Sequence, residues 1–419
     1  MVAIFGQLLP GSAGGIETNL LKLLVALAEE NGADERQLVI GPGGESAWLR
    51  THLGDGQDLF AWPPLRCEMP VDIRADIRGA ISRMVKNGIR ITLRRGLQSA
   101  FSNTANQLTH ELKRAGVEVV HFPYQRYFPT SLPFIFEPWD LQHIHLPELF
   151  SREEVRFRDW LYRKACKEAA LVVTATHWTK ADLVSQFGLP VSKIAVIPRG
   201  AEISTAKFST VEIDSTLAKL NLPRRYALYP AKTWAHKNHV RLFQALAHLR
   251  DKAGIVVPLV CTGKPIETSL KDIQRALGTH GLIDQVFFTG FVNEGMMQHL
   301  YAGADQMIFP SLFEGLGIPA LEAMALGTPV VCSRASCLPE ICGEAAVFFD
   351  PYSVEDMAAK IAMVWGDSAL RTELKQRGYA NITSFSWAEA AQSFRVAYNY
   401  VANRPLGADE ERQLATMLS

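Results

Sequence analysis

The stretch PSLFEGLGIPALEAMALGTPVV, residues 310–331, decides how this 419-residue chain is read. The apolar run QMIFP that leads into it predicts a buried strand, Ser311 to Gly317 a glycine-containing loop, and Pro319 the first turn of a helix that stops near Gly327. A strand, a loop and a helix N-terminus in that order form an anion site, because unpaired backbone N–H groups and the positive end of the helix dipole converge on one place. Glu314 falls in the loop and Glu322 in the expected first helical turn. Carboxylates do not bind phosphate, but they accept hydrogen bonds from hydroxyls, so the two also suit a sugar and a ribose on either side of a phosphate cradle. Read alone, they are equally an exposed loop acid and a helix-stabilising one.

Outward from this stretch, short β-branched runs alternate with amphipathic helical segments along the whole chain, the pattern of βα units and parallel sheets. VAIF, QLVIG, VEVVHF and LVVTA carry the rhythm in the first half, and YALYP, PLVCTG, QVFFTG, PVVCS and AVFFD in the second. The polar, Ser/Thr-rich residues 202–224 are read as the interdomain connection. The expected fold class is α/β: two facing Rossmann-like domains with parallel sheets and an interdomain cleft, ligands binding beyond the carboxyl ends of the strands. Three further strand ends carry chemistry. In YPAKTWAHKNHVRLFQAL, residues 229–246, Lys232 and Lys237 lie five residues apart between a strand and a helix. In LLPGSAGGIETNLLKLLVAL, residues 8–27, Gly14 and Gly15 open a helix with an apolar stripe. The spacing is not GxGxxG, and QLVIGPGG lacks the acid that holds a dinucleotide ribose, which argues against an oxidoreductase. In PFIFEPWDLQHIHLPELFS, residues 133–151, the crowding between Pro138 and Pro147 predicts a shaped loop presenting Asp140 and His143.

With these residues in view, FEGLGIPALEAMALGTPVV resembles the E-x7-E motif of retaining glycosyltransferase family 4, whose members have the two-domain GT-B fold. DLQHIHLPELF is similar to a segment common in bacterial polysaccharide mannosyltransferases of that family, with Trp139 where His is usual. The resemblance implies that Glu314 contacts donor-sugar hydroxyls, that Glu322 holds the nucleotide ribose, and that the amides of Leu316, Gly317 and Ile318 lie on the donor diphosphate. It places Lys232, where Arg is usual, with Lys237 on the leaving diphosphate, and Gly14 and Gly15 near the donor phosphate or the acceptor. Gly263 in CTGK ends a strand where a base edge meets the backbone, and Asp140 and His143 stand near the donor sugar. Residues 1–203, completed by a crossover helix over about 386–419, are then the acceptor domain, and 204–385 the donor domain. No D-x-D occurs in the chain; two lysines and a helix N-terminus supply the charge a divalent ion would bring, so neither metal nor cofactor is expected. The implied reaction moves a hexose, foremost mannose from GDP-mannose, onto a growing glycan or lipid-linked saccharide. A UDP-sugar donor, or a nucleotide-sugar-binding protein without turnover, is the alternative.

Composition agrees with a globular two-domain protein: 48% of residues are hydrophobic, 21% charged, and 43 basic residues balance 43 acidic ones, which gives no field for nucleic acid. The strand-like VAIF at residues 2–5 leaves no room for a signal peptide, so a cytoplasmic protein is expected. Six cysteines without a CxxC predict free thiols and no zinc set. Residues 77–97 form a basic amphipathic pattern suited either to packing on the first domain or to peripheral contact with an anionic membrane on its inner face.

Overall fold

A computed structural model describes residues 1–9, 15–30, 35–65, 104–201, 208–263 and 266–419. Gly14, Cys67 and the basic segment 77–97 lie outside these residues. The chain divides into one unit of Met1–Gly200 with Trp387–Ser419 and a second of Ala201–Ser386.

In the first unit seven strands pair in the order β3-β2-β1-β4-β5-β6-β7: β1 Val2–Phe5, β2 Gln37–Pro42, β3 Gln57–Trp62, β4 Val119–Phe122, β5 Phe134–Phe136, β6 Leu171–Thr174 and β7 Ile194–Val196. In the second unit six pair in the order β10-β9-β8-β11-β12-β13: β8 Ala227–Pro230, β9 Leu259–Thr262, β10 Val286–Gly290, β11 Gln306–Phe309, β12 Val330–Ser333 and β13 Ala346–Phe349. Every pairing is parallel, from Val2 opposite both Gln37 and Val119 to Val330 opposite Ala346. Strands β4, β6, β11 and β12 are buried at every residue, as short apolar runs covered on both faces must be. Both sheets reverse direction next to their first strand, which puts the switch points between β1 and β4 and between β8 and β11.

Two segments depart from the sequence reading. The supposed connection over 202–224 contains helix Thr210–Lys219, closed by a capping box in which the Ser209 hydroxyl and the Glu212 carboxylate each bind the other's backbone N–H. Its Thr216 hydroxyl meets His299 Nδ1 at 2.7 Å, so this helix is part of the second unit. Two of the polar residues that suggested a linker, Ser209 and Glu212, are the cap itself. The stretch between Pro138 and Pro147 includes a helical turn, Gln142–His145, started by Asp140, whose carboxylate accepts the Gln142 N–H at 3.1 Å.

Candidate active site

At the second unit's switch point β8 ends at Pro230 and β11 at Phe309. The loop after β8 makes a tight turn at Ala235–Lys237 and passes through Asn238 with φ 60°. That buried asparagine donates to the carbonyls of Pro310 at 3.0 Å and Pro351 at 2.9 Å, tying together the segments that follow β8, β11 and β13. Leu312 N–H donates to the His236 carbonyl at 2.7 Å, and the Tyr229 hydroxyl to the Lys237 carbonyl at 2.5 Å. These anchors bring Lys237 Nζ to 2.5 Å from Glu314 Oε1, with their side chains only 15% and 12% exposed. The ammonium also lies 5.4 Å from the centre of the Phe309 ring. Glu314 is held from its other side by the loop after β12: its N–H donates to Ser336 Oγ at 2.9 Å, and Cys337 Sγ lies 3.2 Å from its carbonyl. Ser336 has φ 47°, a left-handed conformation that a serine adopts only when its surroundings enforce it.

Gly317, at φ 76°, starts helix Ile318–Ala325, with Pro319 in the first turn. A Cβ here would come within 2.7 Å of Leu338 Cδ2, so both the turn and the packing require glycine. Within the first turn Pro319 carries no N–H and the Ala320 N–H donates to the Gly317 carbonyl at 2.9 Å, which leaves the Ile318 N–H as the amide of this helix start without an intrahelical carbonyl. Glu322 lies in the second turn and not, as expected, in the first, because Gly317 holds the cap position and the helix begins only at Ile318. Its Oε2 accepts the buried Tyr301 hydroxyl at 2.8 Å. Gly263, at φ 103°, ends β9; its N–H donates to the Gly290 carbonyl at 2.8 Å, and a Cβ on it would lie 3.0 Å from the Ala231 carbonyl and 3.1 Å from Lys232 N. Lys232 is half-buried and forms no ion pair among the described residues. Burial, then the neighbouring Lys237 ammonium, pushes the imidazole of His236 down to about 4 and that of His239 to about 3. Around neutral pH the positive charge at this place therefore belongs to the lysines.

The first unit presents its groups differently. Gly15 opens helix Gly15–Glu29, and a Cβ there meets nothing within 4 Å, so packing does not demand a glycine. Trp139, at φ 66°, donates its indole N–H to the Pro123 carbonyl at 2.8 Å. His143 is fully buried, edge-on to Tyr162 with ring centroids 5.0 Å apart, and burial lowers its pKa to about 4. The imidazole exposed on this turn is His145, whose Nε2 lies 2.9 Å from both oxygens of Asp182 on helix His177–Phe187. In the same unit the buried Glu137 carboxylate joins His121 Nε2 at 2.8 Å to the Arg199 guanidinium, and His121 Nδ1 meets the Tyr398 hydroxyl at 2.8 Å. Because a carboxylate can only accept, Nε2 carries the proton and Tyr398 donates to Nδ1.

Sequence reasoning singled out Lys237, Glu314, Gly317 and Glu322 but missed Tyr301, Ser336 and the His145–Asp182 pair. Asp182 is 37 residues from His145, and nothing in either local pattern announces the contact. Cys166, Cys261, Cys332, Cys337 and Cys342 are free and buried. Among the described residues no group of three His, Cys, Asp or Glu is placed to hold a metal ion, and no helix is long and apolar enough to cross a membrane.

Two parallel sheets of this strand order, with a lysine, a carboxylate and a glycine-started helix at the switch point of the second, define a GT-B glycosyltransferase architecture. Residues 214–381 match Glycosyl transferases group 1, and residues 77–205 match Glycosyltransferase Family 4. The chain thus carries a glycosyltransferase family 4 domain followed by a group 1 glycosyltransferase domain. O-antigen chain mannosyltransferase B of Escherichia coli is 28% identical over 261 residues, covering 62% of this chain and 68% of that protein. The serotype-specific mannosyltransferase WbdA of Escherichia coli is 33% identical over 193 residues, 46% of this chain but only 24% of WbdA. The Anabaena protein HepE, solved with UDP and glucose, superposes with a TM-score of 0.71 at 18% identity, covering 95% of this chain and 99% of HepE. At that identity the likeness is one of fold.

Proposed function

We propose that the chain transfers a hexose, mannose from GDP-mannose, with retention of configuration, onto a growing cell-surface glycan or lipid-linked saccharide. The observation that carries this reading is the Lys237–Glu314 pair set beside the Gly317 helix start at the β8/β11 switch point. The mannosyltransferase relatives favour mannose. Cleaving a nucleotide sugar leaves a nucleoside diphosphate, so negative charge grows on phosphate oxygens in the transition state, and fixed donors aimed there lower the barrier most. Lys232, Lys237 and the amides of Leu316, Gly317 and Ile318 take that part without a metal ion. Glu314 accepts hydrogen bonds from the sugar hydroxyls and Glu322 from the ribose, while the first unit takes the acceptor. In a same-face displacement the bond from the anomeric carbon to phosphate oxygen breaks, the bond to the acceptor oxygen forms, and the acceptor proton passes to the leaving phosphate. A covalent sugar trapped on Asp140 would overturn that step.

The test is to incubate the protein with GDP-mannose, UDP-glucose and UDP-N-acetylglucosamine, following thermal shift and nucleoside diphosphate release. GDP-mannose should stabilise the protein and turn over, and Glu314→Ala should slow release by about 100-fold or more. Turnover of a UDP sugar instead reassigns the donor. Binding without any turnover, alone or with saccharide acceptors, leaves a nucleotide-sugar-binding protein.

A further inference from the structure

We infer that Lys237 changes partner during the reaction cycle, and that Glu314 thereby distinguishes the sugar-bearing donor from the nucleoside diphosphate left after transfer. The inference rests on the donor reading above and adds a regulation of that site. Lys237 and Glu314 face each other at 2.5 Å in a largely enclosed position. Neither backbone has room to swing: Lys237 is fixed by Tyr229 and by Asn238 beside it, and Glu314 by Ser336 and Cys337. Any exchange of partners is therefore an exchange of side chains. Among the described residues Glu314 has no other ion pair: burial holds His236 and His239 neutral, and Lys232, the other cation of the site, is read as serving the diphosphate and makes no ion pair with it.

A diphosphate that draws the ammonium away leaves an enclosed carboxylate without its partner, which is costly at this depth. A nucleotide sugar brings hydroxyls that can donate to that carboxylate and offset the loss. A free nucleoside diphosphate brings none to Glu314, since its ribose hydroxyls are the ones read by Glu322. Glu314 thus opposes the product and tolerates the donor, although both carry the same phosphates. Once the sugar has left, re-pairing of Glu314 with Lys237 withdraws a cation from the diphosphate and promotes its release.

Calorimetric titration of GDP, UDP, GDP-mannose and UDP-glucose into wild type, Glu314→Gln and Lys237→Gln tests this. Glu314→Gln should bind the nucleoside diphosphate about tenfold more tightly than wild type and the nucleotide sugar no more tightly, collapsing the preference between them. Lys237→Gln should weaken both, and Lys237→Arg, which keeps the pair, should hold the preference near wild type. If Glu314→Gln binds the diphosphate no better than wild type does, Lys237 serves both partners at once and the inference fails. A wild type that binds none of the four ligands overturns the donor reading itself. Glu314→Ala repeats the test with the carboxylate removed outright, and thermal melts confirm that each variant is folded.

Discussion

A single hydroxyl illustrates what the site asks of its surroundings. Tyr301 is 2% exposed, and its phenol reaches only far enough to donate to Glu322 Oε2 at 2.8 Å. Burial, and then the adjacent Glu322 carboxylate, raises its pKa well above the ordinary phenol range, so it stays protonated as a donor around neutral pH. A carboxylate read as holding a ribose must be aimed, and Tyr301 is the group that aims it, acting through Glu322 without touching substrate. Removing the hydroxyl in Tyr301→Phe deletes a hydrogen bond to a charged acceptor, worth about 1.5–3 kcal/mol. Donor KM should rise by roughly tenfold while kcat stays within about twofold, since the ribose lies away from the bond that breaks. Tyr301→Leu, which removes the ring as well, should add a loss of stability to the same rise in KM. A drop in kcat with KM unchanged in Tyr301→Phe would assign the residue to packing alone.

At the scale of elements, the helix start at Gly317 unites conformation, packing and chemistry. Its φ of 76° disfavours any side chain by about 1–2 kcal/mol, and a methyl would press on the fully buried Leu338. Gly317→Ala should therefore cost about 2–4 kcal/mol in urea unfolding of the second unit and weaken diphosphate binding, because the amides after it lose their aim. The helix was legible in the sequence because every signal for it is local: an apolar strand, a glycine, a proline two residues on, a second glycine at the stop. So were β1, β2, β4, β6 and β8–β13, each a short apolar run, most of them buried along their length, with the edge strands β10 and β13 only partly so. Edge strand β3, half-exposed along much of its length, gives no such run, and β5 is only three residues long. Helix Thr210–Lys219 was hidden by its own cap. The same division holds within the site. Lys237, Glu314 and Glu322 stand in contiguous motifs, whereas Tyr301 reaches the Glu322 carboxylate across 21 residues and Ser336 the Glu314 backbone N–H across 22, and contacts made by tertiary packing leave no periodic trace.

Both units bury imidazoles without giving them charge, and this sets how the whole molecule responds to acid. In the first unit burial lowers the pKa of His121, against the pull of Glu137, and takes His143 to about 4. In the second, burial and Lys237 take His236 to about 4 and His239 to about 3. In the unfolded chain the same groups titrate near about 6.5. A folded pKa below the unfolded one means that the unfolded state takes up the proton first, so stability is complete above about pH 6.5 and is lost as pH falls toward 4. Each such group contributes up to about 1.4 kcal/mol per pH unit in that window, so His236 and His239 together amount to roughly 3 kcal/mol per pH unit in the second unit near pH 5. Urea unfolding at pH 7, 6 and 5 should show a loss over the first step and a loss roughly twice as large over the second. His239→Phe, which replaces the ring among Tyr229 and Phe243, should flatten the second unit's slope by about 1.4 kcal/mol per pH unit and leave the first unit's slope untouched. Stability that stays level from pH 7 to 5 would mean that these rings gain protons in the folded protein at no cost, contrary to their burial. The same measurement bears on the site, since His236 and His239 flank Lys237: a donor-binding profile that falls in parallel with stability below pH 6 marks unfolding, whereas binding that weakens first marks a change in charge beside the lysine.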